Sequence, residues 1–271
     1  MGSVIVDGVD LAYDETGAGE PLVLVHGHPF DRSMWAPQVA HRTRLGWRVV
    51  TPDLRGYGAS TPPSGTTTWD AYARDVAALL DHLGIDRAVL AGLSMGGQIA
   101  MEFHRLFPER LRGLVLADTS PVAETQAGRR QRHEVADRLL REGMDAVSDE
   151  LLPMMVSART LDEQPDVADH VLRMMKATAP DGAAAALRAR AARPDYVAML
   201  AHVSVPTLVV VGREDAYTPV DTARAMAARI PGATLSVVEG AGHLPTLEQP
   251  DAFNAALQAL LAAVQVESAS H

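Results

Sequence analysis

Short runs of valine and leucine, bounded by glycine, proline or aspartate, alternate along this chain with longer stretches of helical periodicity. That alternation restricts its fold more than any other feature. Pro21 to His26, Trp47 to Thr51, Ala88 to Ala91 and Leu114 to Ala117 are such runs, and Thr207 to Gly212 and Thr234 to Val238 follow after a gap. Near-continuous apolar content implies burial on both faces, as parallel strands require. Strands separated by helices build βαβ units. The expectation is an α/β fold with a mostly parallel central sheet flanked by helices.

Helical spacing supports this reading. Thr68 to Leu83 places Tyr72, Val76, Leu79, Leu80 and Leu83 on one face and stops at Gly84. Gln98 to Phe107 ends before Pro108, and Asp251 to Val264 reads as a closing helix with Asp251 as N-cap. From Pro121 to His202 the rhythm breaks, with no convincing strand. Helices are expected there near Gly128 to Glu142, Met144 to Met155, Val167 to Thr178 and Gly182 to Ala192, punctuated by Pro153, Pro165, Pro180 and Pro194. The division expected is a core of residues 1–120 and 203–271 with a helical cap, 121–202, inserted after the sixth strand. Only the last few residues, to the frayed His271, read as disordered.

Composition excludes several functions. A net charge of −10 argues against a phosphate-neutralising surface, so no nucleic-acid partner is expected. The apolar runs are strand-length, so no membrane partner is expected either. No cysteine is present, which excludes disulfides. The start, Met1 to Asp7, lacks the basic and apolar parts of a secretory signal, making the cytoplasm the default compartment. A monomer or homodimer is expected.

Gly92-Leu93-Ser94-Met95-Gly96 matches G-x-S-x-G and lies where that pattern needs to lie, after one strand and before a helix beginning at Gly97. A turn this sharp strains the serine backbone, lifts the hydroxyl above the sheet and aims a helix N-terminus at the reacting centre. A serine hydroxyl needs a base, and the base needs a carboxylate to orient it. Among ten histidines, His243 is the choice, in the flexible Gly240-Ala-Gly-His243 loop after the final strand. His82, His104, His133 and His170 fall in helical patterns and read as surface or cap residues.

Asp215, ending Gly212-Arg-Glu-Asp215, is the expected acid; Glu214 is its neighbouring alternative, and Asp118 a rival from the preceding strand end. Met95 supplies one oxyanion N–H, and the His26-Gly27-His28-Pro29-Phe30 loop the second, from His28 or alternatively Phe30. His26 and His28 at i, i+2 also suggest a metal, but carboxylate or cysteine partners are lacking nearby. No metal and no organic cofactor are expected.

Together with Asp53 to Ser60 and Gly242 to Pro250, these motifs resemble the α/β-hydrolase superfamily, over almost the whole chain. Within it the sequence is most similar to the small esterase, enol-lactonase and cofactor-free haloperoxidase (perhydrolase) group, whose members carry a Ser-Met-Gly-Gly elbow and a helical cap. The resemblance implies acyl transfer to Ser94, since relatives that dehalogenate haloalkanes or open epoxides carry Asp there. It implies a small-molecule ester or lactone as substrate. C–C cleavage of a diketone-type compound, or a triad-retaining receptor-like protein, are the alternatives. Asp53 to Ser60 reads as structural, through its turn glycines and an Arg55 ion pair. In the cap, Met144, Met154, Met155, Met174, Met175, Leu151 and Leu152 offer an apolar wall, and Arg159 a site for an anionic lactone.

Overall fold

A hairpin that the sequence reading passed over opens the chain. In the computed structural model, which describes residues 1–269, β1 (Gly2–Val6) and β2 (Val9–Thr16) pair antiparallel across Asp7 and Gly8. Both turn residues have positive φ, 48° and 77°, which is what a two-residue Asp-Gly hairpin loop demands. Then follow β3 (Glu20–Val25), α1 (Ala36–Arg44), β4 (Trp47–Pro52), α2 (Trp69–His82), β5 (Ala88–Leu93), α3 (Met95–Leu106) and β6 (Leu111–Ala117). Five helices come next: α4 (Gln126–Glu142), α5 (Met144–Met155), α6 (Ala158–Glu163), α7 (Pro165–Ala177) and α8 (Pro180–Ala191). The chain closes with β7 (Thr207–Gly212), α9 (Val220–Ala227), β8 (Thr234–Val238), α10 (Pro245–Glu248) and α11 (Pro250–Ala269).

The eight strands form one sheet in the order β1-β2-β4-β3-β5-β6-β7-β8, antiparallel at β1–β2 and β2–β4 and parallel elsewhere. Successive side chains of a strand point to opposite faces, and the two cores divide accordingly. Val23, Val25, Leu90, Leu114, Leu116, Val209 and Val211 pack with α2, α3 and α9. Leu22, Leu24, Val89, Ala91, Val115, Leu208 and Val210 pack on the other side with Trp35 and with Phe253, Leu257 and Leu261 of α11. Each fully buried Leu or Val stabilises by about 1.5–3 kcal/mol, so the central strands anchor an apolar layer on each face of the sheet.

Several expectations need correcting. β8 is not buried on both faces: it lies at the sheet edge, with Thr234 exposed and Leu235 to Val237 only partly covered. Pro250, preset for a first helical turn, opens α11, which puts Asp251 inside that turn rather than at the cap. Pro153 ends nothing; it lies within α5. α6 was not foreseen, being only six residues long. His104 is buried, with its Nδ1 unpartnered. His271 lies outside the described residues. Among the described residues, no helix is long and apolar enough to cross a membrane.

Candidate active site

Ser94 joins β5 directly to α3: the strand runs two residues further and the helix begins two residues earlier than the pattern alone suggests. Its φ of 56° and ψ of −114° lie where non-glycine residues are seldom found. Three bonds hold the strain: Ser94 N–H donates to Ala117 O (2.9 Å), while its carbonyl accepts from Gln98 N (3.1 Å) and Thr119 Oγ1 (2.7 Å). The turn has no room for neighbouring side chains. A Cβ on Gly92 would lie 2.1 Å from Gly96 O, and one on Gly96 would lie 2.2 Å from Val25 O. Met95 opens α3, so its N–H has no carbonyl one turn earlier to bond.

Asp215 follows β7 and His243 follows β8. The His243 Nδ1–H faces both Asp215 oxygens, at 3.0 and 2.9 Å, and both side chains are buried. Asp215 Oδ1 also accepts the Tyr217 N–H at 2.8 Å, and the Tyr217 ring lies 5.1 Å from the imidazole. Glu214 is exposed. Asp118 is closer to the imidazole–carboxylate pair than sequence distance suggests: ligand-type atoms of Asp118, Asp215 and His243 all lie within 4.8 Å of one another. Asp118 Oδ1 accepts from Gly212 N at 2.8 Å, while its buried Oδ2 has no partner. Burial first, and the neighbouring Asp215 charge second, push the Asp118 carboxyl well above the usual range, because two adjacent carboxyls resist ionising together. Asp118 thus favours its proton, while the imidazole faces Asp215.

Glu248 went unnoticed as a positioning group. Its buried Oε1 accepts from Gly242 N (2.9 Å) and Leu244 N (3.1 Å), the amides on either side of His243. Its Oε2 accepts from Ser157 N (2.7 Å) and Thr160 Oγ1 (2.8 Å), at the start of α6. One carboxylate therefore fixes the histidine loop and ties it to the helical insertion. The signal was its place in the Gly242 to Pro250 motif; its partners were invisible in sequence.

The loop after β3 is equally well held. His26 Nδ1–H donates to Gly27 O (2.8 Å) and Nε2 accepts from Leu54 N (2.9 Å). Burial holds its pKa below the usual histidine value, consistent with the neutral ring these two bonds need. His28 Nδ1 bonds the Tyr57 hydroxyl at 2.7 Å, and burial, with Arg190 and Arg132 nearby, pushes His28 down to about 3. The two rings thus serve different protein partners. Phe30, the alternative oxyanion donor, spends its N–H on Gly27 O at 3.0 Å; closing that turn removes it as a donor. Asp53 accepts from Arg32 N (2.9 Å) and Ala59 N (2.8 Å), and Arg55 pairs with Asp75 at 2.6 Å, so this segment supports the loop.

Ser94, His243, His28 and Tyr217 line one cavity of ≈ 480 Å³. Its far wall is helical insertion: Leu151 and Met155 of α5, Arg132 and Val135 of α4, Leu187 and Arg190 of α8, and Arg193 beyond it. Of the seven residues expected as an apolar wall, only Leu151 and Met155 line it; Met174 and Met175 are packed in the core beside the sheet and Met154 is largely exposed. Arg159 is on the surface, paired with Glu163 at 2.7 Å. The cavity's arginines are instead Arg132, Arg190 and Arg193.

A mostly parallel eight-stranded sheet, sandwiched by helices and carrying a strained serine at the β5–α3 turn, is the α/β-hydrolase fold. Residues 22–256 match the Alpha/beta hydrolase family, and the chain belongs to it. A thermophilic esterase from Thermogutta terrifontis, solved with malate bound, superposes with a TM-score of 0.93 at 39% identity, over 97% of each chain. The 3-oxoadipate enol-lactonase 2 of Acinetobacter baylyi is 31% identical, over 93% of both proteins. The non-heme chloroperoxidase CPO-A1 of Kitasatospora aureofaciens is 31% identical, over 88% of this chain and 90% of its own length. This is a family of hydrolases with diverse named activities, so the particular reaction has to be argued from the site.

Proposed function

We propose that this protein is a serine hydrolase that cleaves a carboxylic ester or a lactone through an acyl-enzyme on Ser94. The observation that carries this reading is the buried His243–Asp215 pair, at 2.9 Å, whose imidazole lines the same cavity as the strained serine. His243 takes the Ser94 proton as Oγ attacks the carbonyl carbon, and Asp215 holds the imidazole in the tautomer that can accept it. The oxyanion forms against the N–H groups of Met95 and His28, which have no protein acceptor among the described residues. Collapse expels the alcohol, protonated by His243; a water deprotonated by the same imidazole then attacks the acyl-enzyme and releases the acid. In a lactone the alcohol and acid leave as one molecule. The relatives named as an esterase and an enol-lactonase support acyl transfer. In the same reading, α4 to α8 form the cap that selects the substrate.

Hydrolysis of p-nitrophenyl acetate and butyrate, with a panel of simple lactones, tests the proposal. Wild type should turn over at least one of them and Ser94→Ala should lose about 10⁴-fold or more in kcat. Absence of turnover by wild type across the panel would sink it.

A further inference from the structure

The cavity is positively charged in a chain that carries a net −10. Three guanidinium groups line it, from Arg132, Arg190 and Arg193, with Glu124 the carboxylate on that wall. Glu124 is committed to Arg132, at 2.5 Å. Arg190 donates Nε–H to Gln98 Oε1 (2.7 Å), a neutral acceptor, and has no carboxylate within ion-pair distance among the described residues. Arg193 is 3% exposed; one Nη reaches Val122 O, while Nε and the other Nη are buried with no partner. Of the other buried arginines, Arg55 is neutralised by Asp75, while Arg42 bonds the neutral Gln258 Oε1 and Asn254 O and does not line the cavity.

Holding two unpaired guanidinium groups in a protein interior costs several kcal/mol per ion unless an anion compensates them. Burial and the neighbouring Arg132 and Arg193 pull Arg190 down to about 9, which leaves it a cation at neutral pH. His28, pushed down to about 3, is neutral there and does not compete for the anion. A carboxylate fits the planar fork of a guanidinium through two parallel charge-assisted hydrogen bonds. The Arg190 Nε–H···Gln98 bond also fixes the fork before ligand arrives.

We infer that the substrate carries a free carboxylate, held by Arg190 and Arg193 while Ser94 attacks its ester or lactone carbonyl. This rests on the reading of the site as an ester or lactone hydrolase, and specifies the half-esters and lactones of dicarboxylic acids as its substrate class.

Monoethyl glutarate, ethyl pentanoate and free glutarate are the probes. Wild type should favour monoethyl glutarate over ethyl pentanoate by about ten- to a hundredfold in kcat/KM, the worth of one charge-assisted hydrogen bond. Arg190→Gln and Arg193→Gln should each collapse that ratio, mainly through KM for the anionic ester, while Arg159→Gln on the surface keeps it. Glutarate should raise the Tm of wild type, and raise it less in either cavity variant. A wild-type ratio at or below one, with ethyl pentanoate still hydrolysed through Ser94, overturns the carboxylate inference and leaves the ester reading standing. Failure to hydrolyse either ester, with glutarate still raising Tm, leaves the anion site and overturns the ester reading. Should a Gln variant not fold, Arg190→Lys, which keeps the charge but loses the fork, must lower the ratio; an unchanged ratio in it, or no Tm response of wild type to glutarate, overturns the inference.

Discussion

Along β3, Leu22, Val23, Leu24 and Val25 are each completely buried and face alternate sides of the sheet. In the helices between β6 and β7, the core that α4, α5 and α8 share is small and alanine-rich: Ala136, Ala183 and Ala184 with Leu139, Met144, Val147 and Leu187. The insertion meets the rest of the protein through apolar side chains such as Met155, Val171, Met174 and Met175, which join the core beside the sheet, and through close approach and polar bonds. A Cβ on Gly56 would lie 2.6 Å from Gly182 Cα in α8. Tyr196 OH accepts from Trp69 Nε1 (2.6 Å) and donates to Glu102 Oε2 (2.9 Å), and Glu248 reaches α6. The sheet is held by apolar area, and the insertion by apolar side chains seated on the same core together with directional contacts. A rigid apolar sheet suits groups whose geometry must not drift.

The largest effect should separate the two carboxyls at the strand ends. Asp215→Asn should lower kcat by about 10⁴-fold by stabilising the wrong imidazole tautomer, whereas Asp118→Asn, a neutral replacement for a carboxyl that favours its proton, should cost less than about tenfold. The reverse result in steady-state kinetics would move the acid to β6.

Truncation compares the two regions directly. Leu24→Ala should destabilise by about 3–5 kcal/mol, and Leu139→Ala in the insertion by about 2–3 kcal/mol, because the looser helical core relaxes around the void. Urea unfolding checks both; equal losses would erase the distinction in packing.

Glu248→Gln keeps the shape but weakens the charge-assisted bonds that join the regions. A loss of about 1–3 kcal/mol is expected, with kcat falling as the His243 loop loosens. An unchanged kcat would leave Glu248 a tether for α6 alone.

The smallest effect is on pH. The folded-state pKa of His28, about 3, lies below its ordinary 6.5, and that of His26 is lowered too. Below 6.5 the unfolded chain therefore binds protons that the folded protein refuses, so stability is full above 6.5 and falls as pH drops towards 3, by up to about 1.4 kcal/mol per pH unit for each ring. Tm measured between pH 7.5 and 5 should decline less steeply in His28→Asn than in wild type.

Some of this was legible in sequence because it is local. Val/Leu runs give buried strands, and glycines on either side of Ser94 permit a turn that no side chain allows; both follow from residues adjacent in the chain. Asp7-Gly8 was equally local, and the hairpin it closes was readable from that dipeptide. Among Glu214, Asp215 and Asp118 the sequence favoured Asp215 without excluding the other two, since all lie at or just beyond strand ends of one sheet.

The cavity wall depended on the tertiary structure. Arg190 follows Ala183 and Leu187 along one stripe of α8, and an arginine on a buried alanine-rich face was the available clue. Its meaning came from Gln98, 92 positions away, as that of Glu248 came from Ser157 and Thr160. The sequence alone determined the buried parallel strands and the serine turn, because strand burial and tight turns depend on short-range sterics. Only packing of the insertion across the strand ends decided which carboxyl meets the imidazole and which charges face the cavity, because those outcomes depend on groups that touch only once the chain has folded.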